Sequence, residues 1–305
     1  MRLIGVCEFL VLGGAVIIPC GSAQEKESVN QIMAKVAENQ NRAQEMRTAF
    51  VYRQEMMLRF KRGNGKTARE EFREYTVTPG AKSSQKTLSH FVGRYEKDGK
   101  LVEYGEPGYN YKDVDIDGDL IDDLADDLAN EKDSRDGIAS ELFPLTTQEQ
   151  KKYEFTLHGA EEYRGKEVFR ITFKPNKNSW SENSGTPWAG EILVDVHDYQ
   201  PIFVSTQLAR GLPVAVKTLL GTNLKGLGFK LTYDKFDEGL WFPVTYGAEF
   251  EVRAVFFYKR KIAIALNNKG FKRAQVETRI SFEEPLQIDK TMRVPEIKTP
   301  PPFSP

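Results

Sequence analysis

Residues 245–259 read TYGAEFEVRAVFFYK, and their alternation is the clearest structural signal in the chain. Apolar side chains take every second position, at Tyr246, Ala248, Phe250, Val252, Ala254, Phe256 and Tyr258. Charged side chains stand between them, at Glu249, Glu251, Arg253 and Lys259. Because successive side chains of a strand point to opposite faces, this pattern predicts one strand with an apolar face and a solvent-facing one.

The same period of two recurs through most of the chain. Further strands are predicted at about 50–61, 69–77, 88–95, 100–104, 153–157, 169–173, 190–196, 201–208, 226–236 and 274–282. The turn sequences Gly63-Asn64-Gly65 and Lys97-Asp98-Gly99 separate two pairs of these strands. No alternation of strands with helices is present. The predicted fold class is therefore mainly β (α+β), with a large antiparallel sheet curled into a barrel or half-barrel.

Two segments have helical rather than strand spacing. The first covers residues 28–47, where Ser28 and Gln31 form a capping-box pair ahead of apolar residues at helical intervals. The second covers residues 120–130, within a strongly acidic stretch. These segments predict a long N-terminal helix and a shorter helix in the middle of the chain.

The N-terminus has the pattern of a secretory signal peptide over residues 1–23. Arg2 is followed by the apolar run 9–18, and Gly21-Ser22-Ala23 supplies small residues for cleavage. The mature protein is therefore predicted to be periplasmic or secreted, with both Cys7 and Cys20 removed and no disulfide. The residues before Cys20 are not the small ones that lipoprotein processing prefers, so we expect no lipid anchor there.

The remaining residues, 24–294, are predicted to form a single domain, and the proline-rich tail 295–305 (PEIKTPPPFSP) is predicted to be disordered. The domain carries an acidic insertion at about 112–140. Eleven acidic and two basic residues lie between Asp113 and Asp136, although the whole chain has a net charge of only −1. The basic residues elsewhere do not cluster, which argues against a nucleic-acid partner.

Several of these features together resemble the periplasmic outer-membrane lipoprotein-carrier superfamily, which has the LolA/LolB-like fold. They are the N-terminal helix, the strand FVYRQEMMLRF at 50–60, and the strand blocks at 168–175, 188–195 and 198–202. The resemblance implies a strongly curved antiparallel sheet or half-barrel, with helices covering its concave face. It also implies an enclosed apolar cavity that accepts acyl chains or lipoproteins.

The resemblance leads to a binding hypothesis for the apolar face. The expected lipid-binding residues are Phe50, Tyr52, Met56, Leu58, Tyr246, Phe250, Val252 and Phe256. The other interpretation of these residues is ordinary core beneath a helix. The predicted function is an exported lipid- or lipoprotein-binding protein that buries acyl chains, with a role in outer-membrane lipoprotein sorting.

The acidic insertion opens with a motif that resembles half of a calcium-binding loop. Asp113, Asp115, Asp117 and Asp119 alternate, and Gly118 takes the sixth position, as in an EF-hand. The twelfth position is Leu124, where a bidentate glutamate is expected. The motif predicts a Ca²⁺ site, and the other interpretation is a solvated acidic helix start.

No catalytic residues are predicted, so the protein is expected not to be an enzyme. His90, His158 and His197 are scattered, and neither a nucleophile elbow nor a phosphate-binding glycine loop is present. No cofactor is expected to be required, and the one candidate cofactor is a calcium ion in the acidic loop. The alternative function is a non-catalytic envelope sensor or protein-binding module, with an envelope protein as its partner and a calcium-stabilised acidic loop.

Overall fold

The computed structural model describes residues 27–80, 84–130, 143–176, 188–209, 222–225, 227–236, 239–254 and 258–274. The signal peptide, Cys20 and the proline-rich tail lie outside these residues, as does nearly all of the strand predicted at 274–282. Those features, and the single domain spanning 24–294, stay predictions. The described part belongs to one compact unit that ends at Arg273.

The described residues form three helices and twelve strands. In chain order they are α1 (Val29–Arg47), β1 (Phe50–Lys61), β2 (Thr67–Thr78), β3 (Gln85–Lys97), β4 (Lys100–Tyr104), α2 (Ile116–Asn130), α3 (Thr147–Gln150), β5 (Tyr153–Tyr163), β6 (Lys166–Pro175), β7 (Trp188–Asp195), β8 (Pro201–Leu208), β9 (Thr222–Lys225), β10 (Gly228–Lys235), β11 (Trp241–Ala254) and β12 (Tyr258–Arg273).

All of these strands belong to one antiparallel sheet. Its order is β4-β3-β2-β1-β12-β11-β10-β8-β7-β6-β5, and β9 also pairs with β11. The end strands β4 and β5 do not pair with each other, so the described sheet is open rather than a closed barrel. The predicted fold class, a mainly β half-barrel, is confirmed.

The sheet curls around α1. This helix contacts both β5, at one edge of the sheet, and β11, which is separated from β5 by four strands. Strands are about 4.8 Å apart and a helix is about 10 Å wide, so a flat sheet could not bring both strands to one helix. The helices therefore lie on the concave face, called the inner face below.

The capping-box prediction for α1 is confirmed. The Ser28 side chain accepts a hydrogen bond from the Gln31 amide at 3.3 Å, and the Gln31 side chain accepts one from the Ser28 amide at 2.8 Å. The helix then buries one face, which includes Ile32, Met33 and Val36, against the sheet. The cap therefore decides where the helix begins, and the apolar stripe decides which side faces the sheet.

The prediction of one strand from 245 to 259 is wrong. The stretch contains the end of β11 and the start of β12, which run antiparallel with Ala254 opposite Tyr258. Three residues separate these two positions, and this odd number keeps Val252 and Tyr258 in phase on the inner face. The alternation therefore continues through the reversal and hides it.

The sequence patterns also failed to identify most of β12. Its inner face carries Ile262, Ile264 and Leu266, which should have given a clear alternation. The two alanines between them, Ala263 and Ala265, are also apolar. The sequence therefore lacks the alternation of apolar and polar residues that marks a half-buried strand. At the far end Asn268 is buried on the inner face, where it donates to the Pro243 carbonyl at 2.9 Å.

Two glycines allow close contact on both sides of β8. A Cβ atom on Gly190 would lie 1.8 Å from the Ser205 carbonyl oxygen, and one on Gly228 would lie 2.4 Å from the Thr206 carbonyl oxygen. Both neighbours are backbone atoms, which cannot rotate away. These glycines therefore allow the tight approach of β7 and β10 to β8.

We expect Gly190→Ala to lower the free energy of unfolding by about 2–3 kcal/mol, because its methyl group forces β7 away from β8. The matched control is Gly247→Ala in β11, where the nearest atom would be 3.7 Å away. That change should alter stability by less than about 1 kcal/mol. Urea unfolding of both variants tests the difference, and equal effects would contradict it.

Candidate functional site

The candidate site is the apolar part of the inner face, beneath the helices. Six of the eight predicted lipid-binding residues meet there: Tyr52, Met56 and Leu58 on β1, and Tyr246, Phe250 and Val252 on β11. Strand β12 lies between β1 and β11 and adds Ile262, Ile264 and Leu266. The sequence prediction therefore identified two strands of this face and missed the one that joins them.

The other two predicted residues do not join this group. Phe50 is half-buried at the first position of β1, where its ring packs edge-on to Phe242 with the centroids 5.2 Å apart. That contact belongs to a separate small cluster near the C-terminal end of α1, which also includes Ala43 and Leu240. Phe256 lies outside the described residues.

Helix side chains pack directly on the candidate site. Ile32, Met33 and Val36 of α1 and Ile121 and Ala125 of α2 belong to the same buried cluster as Met56 and Leu58. The residues therefore form a packed core in this structure, as the second interpretation of the sequence expects. An acyl chain would reach them only by taking the place of helix side chains.

Beside the apolar part, the inner face of β2 carries a buried row of charges. Arg69, Glu71 and Arg73 alternate along the strand, in phase with the apolar residues Tyr75 and Val77, and all are buried. Charged groups are buried only when other groups pair with them, because removing them from water costs several kcal/mol each. The row therefore requires partners from elsewhere in the chain.

Asp115, just before α2, is the partner of Arg69. Arg69 Nη1 donates to Asp115 Oδ2 at 2.7 Å, and both side chains are almost completely buried. Asp115 Oδ1 also accepts a hydrogen bond from the Gly118 amide at 3.2 Å, so the same carboxylate caps the start of α2. A Cβ atom on Gly118 would lie 2.0 Å from Asn110 Oδ1 and 2.8 Å from Arg69 Nη1, so a larger residue there requires both side chains to shift.

The second partner from α2 is Asp122, which accepts from Arg73 Nη2 at 2.8 Å. Arg73 also bonds to Glu71 on its own strand, at 2.8 Å from Nε. The Tyr104 hydroxyl donates to the other Glu71 oxygen at 2.5 Å. Burial raises the pKa of Tyr104 far above its usual value, and the hydrogen bond to Glu71 adds to this shift, so the phenol stays protonated.

Asp117 joins the start of α2 to the start of β12. It accepts from Arg260 Nη2 at 2.8 Å and from Arg260 Nε at 2.9 Å, in a bidentate pair. The Tyr258 hydroxyl donates to the same carboxylate at 2.8 Å. Helix α2 is therefore held on the sheet by three arginines from two strands, in addition to its apolar contacts.

Three of the four predicted calcium ligands form hydrogen bonds or ion pairs with other side chains. Asp115 and Asp117 pair with arginines, Asp119 accepts from Asn110 Nδ2 at 2.8 Å, and Asp113 is exposed. Among the described residues, no three acidic, histidine or cysteine side chains are grouped so that they could hold a metal ion. The Ca²⁺ site stays a prediction.

No protein-family model and no curated protein matches the chain, but several solved structures are similar to it. One is an outer-membrane lipoprotein-sorting protein domain from Vibrio parahaemolyticus, 13% identical, with a TM-score of 0.36 over 80% of this chain and 94% of that one. A DUF1329 family protein from Desulfovibrio piger is 13% identical, with a TM-score of 0.32 over 80% and 92%. Lipoprotein LppX from Mycobacterium tuberculosis is 8% identical, with a TM-score of 0.26 over 82% and 100%.

All three likenesses have TM-scores below 0.4 and identities of 13% or less. At such identities and TM-scores they carry no information about the ligand, the chemistry or the partners of this chain. Within the described residues, no helix is both long and apolar enough to cross a membrane.

We expect Asp115→Asn to lower the free energy of unfolding by about 3–5 kcal/mol, because it removes the carboxylate closest to the buried Arg69 charge and leaves only Glu71 at 3.9 Å. The matched control is Asp113→Asn, two residues earlier on an exposed side chain, which should change stability by less than about 0.5 kcal/mol. Denaturant unfolding measures both. A tolerated Asp115→Asn would show that the pair contributes little to stability.

The arginine pairs also lead to an expectation for calcium. Because Asp115 and Asp117 are already engaged, we expect the Tm to be the same in EDTA and in millimolar CaCl₂. Differential scanning calorimetry measures this directly. A rise in Tm that Asp113→Asn and Asp119→Asn together abolish would instead support the predicted calcium site.

Proposed function

We propose that this protein is an exported lipid- or lipoprotein-binding protein that takes acyl chains onto its inner face. The observation that carries the proposal is the size of the apolar face. One buried cluster extends across β2, β1, β12, β11, β10, β8, β7, β6 and β5, while side chains of α1 and α2 cover part of it. Such a face suits a long apolar ligand that replaces part of this cover.

The energetics of such an exchange are favourable. Burial of an acyl chain contributes about 0.8 kcal/mol for each CH₂ group. The chain would have to replace the α2 side chains on the core, chiefly Leu120, Ile121 and Leu124. A chain of about 16 carbons buries more apolar surface than these three side chains, so the exchange has a net hydrophobic driving force.

Helix α2 is the element whose movement would open the face. The helix and Asp115 just ahead of it contact β1, β2 and β12, and three of these contacts are ion pairs with Arg69, Arg73 and Arg260. Ion pairs can be exchanged for water as the helix lifts, whereas the contacts of α1 with the core are mostly apolar. Release would need the reverse movement, or a receptor that competes for the chain.

The cellular setting is part of the proposal. The sequence of residues 1–23 predicts export, and removal of that segment leaves a mature chain without cysteine. A role in outer-membrane lipoprotein sorting would follow if the acyl chains belong to lipoproteins. The competing function is a non-catalytic envelope sensor, in which the same sheet binds a protein and the inner face serves only as core.

The first test is native mass spectrometry of the mature protein purified from its cell envelope, followed by lipid extraction. Acyl binding predicts a stoichiometric acylated species that organic solvent removes. Bare protein, in preparations where a known lipoprotein carrier retains its lipid, would favour the sensor function.

The site itself is tested with a fatty acid that carries a photoreactive diazirine on its chain. We expect labelling of Met56 and Leu58, which face inward on β1, to exceed labelling of their neighbours Met57 and Arg59 several-fold. The neighbours share the strand but face outward and are half-buried, so they are matched controls. Peptide mass spectrometry reads the labels. Equal labelling of both faces would contradict the proposed site.

A further inference from the structure

A second site lies at the N-terminal end of α2, where a cleft of about 240 Å³ opens to solvent. The cleft is formed by the turn after β1, the start of β2, the end of β3, residues 111–117 and the start of β12. Its volume is below the range of about 300–1,000 Å³ for sites of drug-sized ligands, so it suits a small chemical group.

The wall of the cleft has an excess of positive charge, although it lies within the acidic insertion. Four cationic side chains line it: Arg62, Arg69, Lys112 and Arg260. Three carboxylates line it as well: Glu96, Asp115 and Asp117. Each arginine pairs with one of the carboxylates, whereas Lys112 forms no ion pair with any described carboxylate.

The carboxylates have little capacity left to accept hydrogen bonds from a ligand. Both oxygens of Asp117 accept from Arg260, and one of them also accepts from Tyr258. Asp115 accepts from Arg69 and from the Gly118 amide through separate oxygens. Glu96 accepts from the Gly99 amide at 2.6 Å with one oxygen and pairs with Arg62 through the other. A cation in the cleft would therefore find its partners already occupied.

Donor groups remain available on the solvent side. Arg62 meets Glu96 through Nη2, and its side chain is 44% exposed. The Lys112 ammonium lies 4.9 Å from the centre of the Tyr111 ring, and its hydrogen bond with Tyr111 raises the pKa of this ammonium. Guanidinium and ammonium groups without further acceptors are typical of sites that bind phosphate.

The rim beside these donors is apolar. Val114 is 71% exposed and Ile116 is 38% exposed. The Tyr111 ring stacks on Tyr95 with the centroids 4.6 Å apart, and both rings line the cleft. Tyr258, in the opposite wall, belongs to the buried core cluster. The cleft thus places cationic side chains beside apolar ones, and one residue of its wall belongs to the core cluster.

We propose that this cleft binds a phosphate group, with Lys112 and Arg62 as its principal ligands, and that the phosphate belongs to the head group of an anionic amphiphile. The proposal rests on the proposed function, because the acyl part of such a molecule would pass Val114 and Ile116 to the inner face. Free inorganic phosphate shares the same chemistry, and the experiment below separates the two sources.

The test uses isothermal titration calorimetry with three probes: dihexanoyl phosphatidic acid, dihexanoylglycerol and inorganic phosphate. The variant carries Lys112→Gln and Arg62→Gln together, on two exposed positions where folding should be unaffected. The matched control carries Lys97→Gln and Lys100→Gln, which remove the same charge from the exposed β3–β4 turn outside the cleft. Circular dichroism confirms that both variants fold.

We expect the Lys112 and Arg62 substitutions to weaken phosphatidic acid binding at least tenfold and to leave dihexanoylglycerol binding unchanged, while the control leaves both unchanged. Tighter binding of phosphatidic acid than of inorganic phosphate assigns the site to a head group, whereas equal affinities assign it to free phosphate. Phosphatidic acid affinity that the variant does not reduce overturns the phosphate site. If both acylated probes fail to bind while inorganic phosphate binds, the acyl-binding function fails and the phosphate site stands.

Discussion

The position of α2 depends on one buried ion pair, between Arg69 of β2 and Asp115 ahead of the helix. An arginine on the inner face of a sheet is stable only with a partner, and Asp115 supplies one while capping the helix. A side chain at Gly118 would force the side chains of Asn110 and Arg69 to shift. The start of α2 is therefore determined by a charge on a strand rather than by helix propensity.

The inner face is consequently divided into two parts with different chemistry. Strands β1, β12 and β11 present apolar side chains, whereas β2 presents Arg69, Glu71 and Arg73. The division favours one orientation of α2, in which Asp122 meets β2, Asp117 meets β12 and the apolar residues pack on the core cluster. It also joins the apolar face to the polar cleft, so that an amphiphile could place its chain and its head group in neighbouring sites.

Local patterns predicted the elements well where the signal lies within a few residues. The capping box at Ser28 and Gln31, the strand at Lys100–Tyr104 and the strand at Pro201–Leu208 follow from spacing alone. The boundary between β11 and β12 did not, because an odd number of intervening residues kept the alternation in phase. The alternating aspartates were ambiguous for a similar reason, since a calcium loop and an acidic helix start share that spacing.

The sequence by itself determined the alternation of the strands, the start of α1 and the strong acidity of the segment that contains α2. Only the tertiary structure decided what those acids do, because their partners are remote: Arg69 is 46 residues from Asp115, and Arg260 is 143 residues from Asp117. Local spacing specifies which face of an element a side chain occupies. It does not specify which strand will lie opposite, and that pairing decides whether an aspartate contacts an arginine, water or a metal ion.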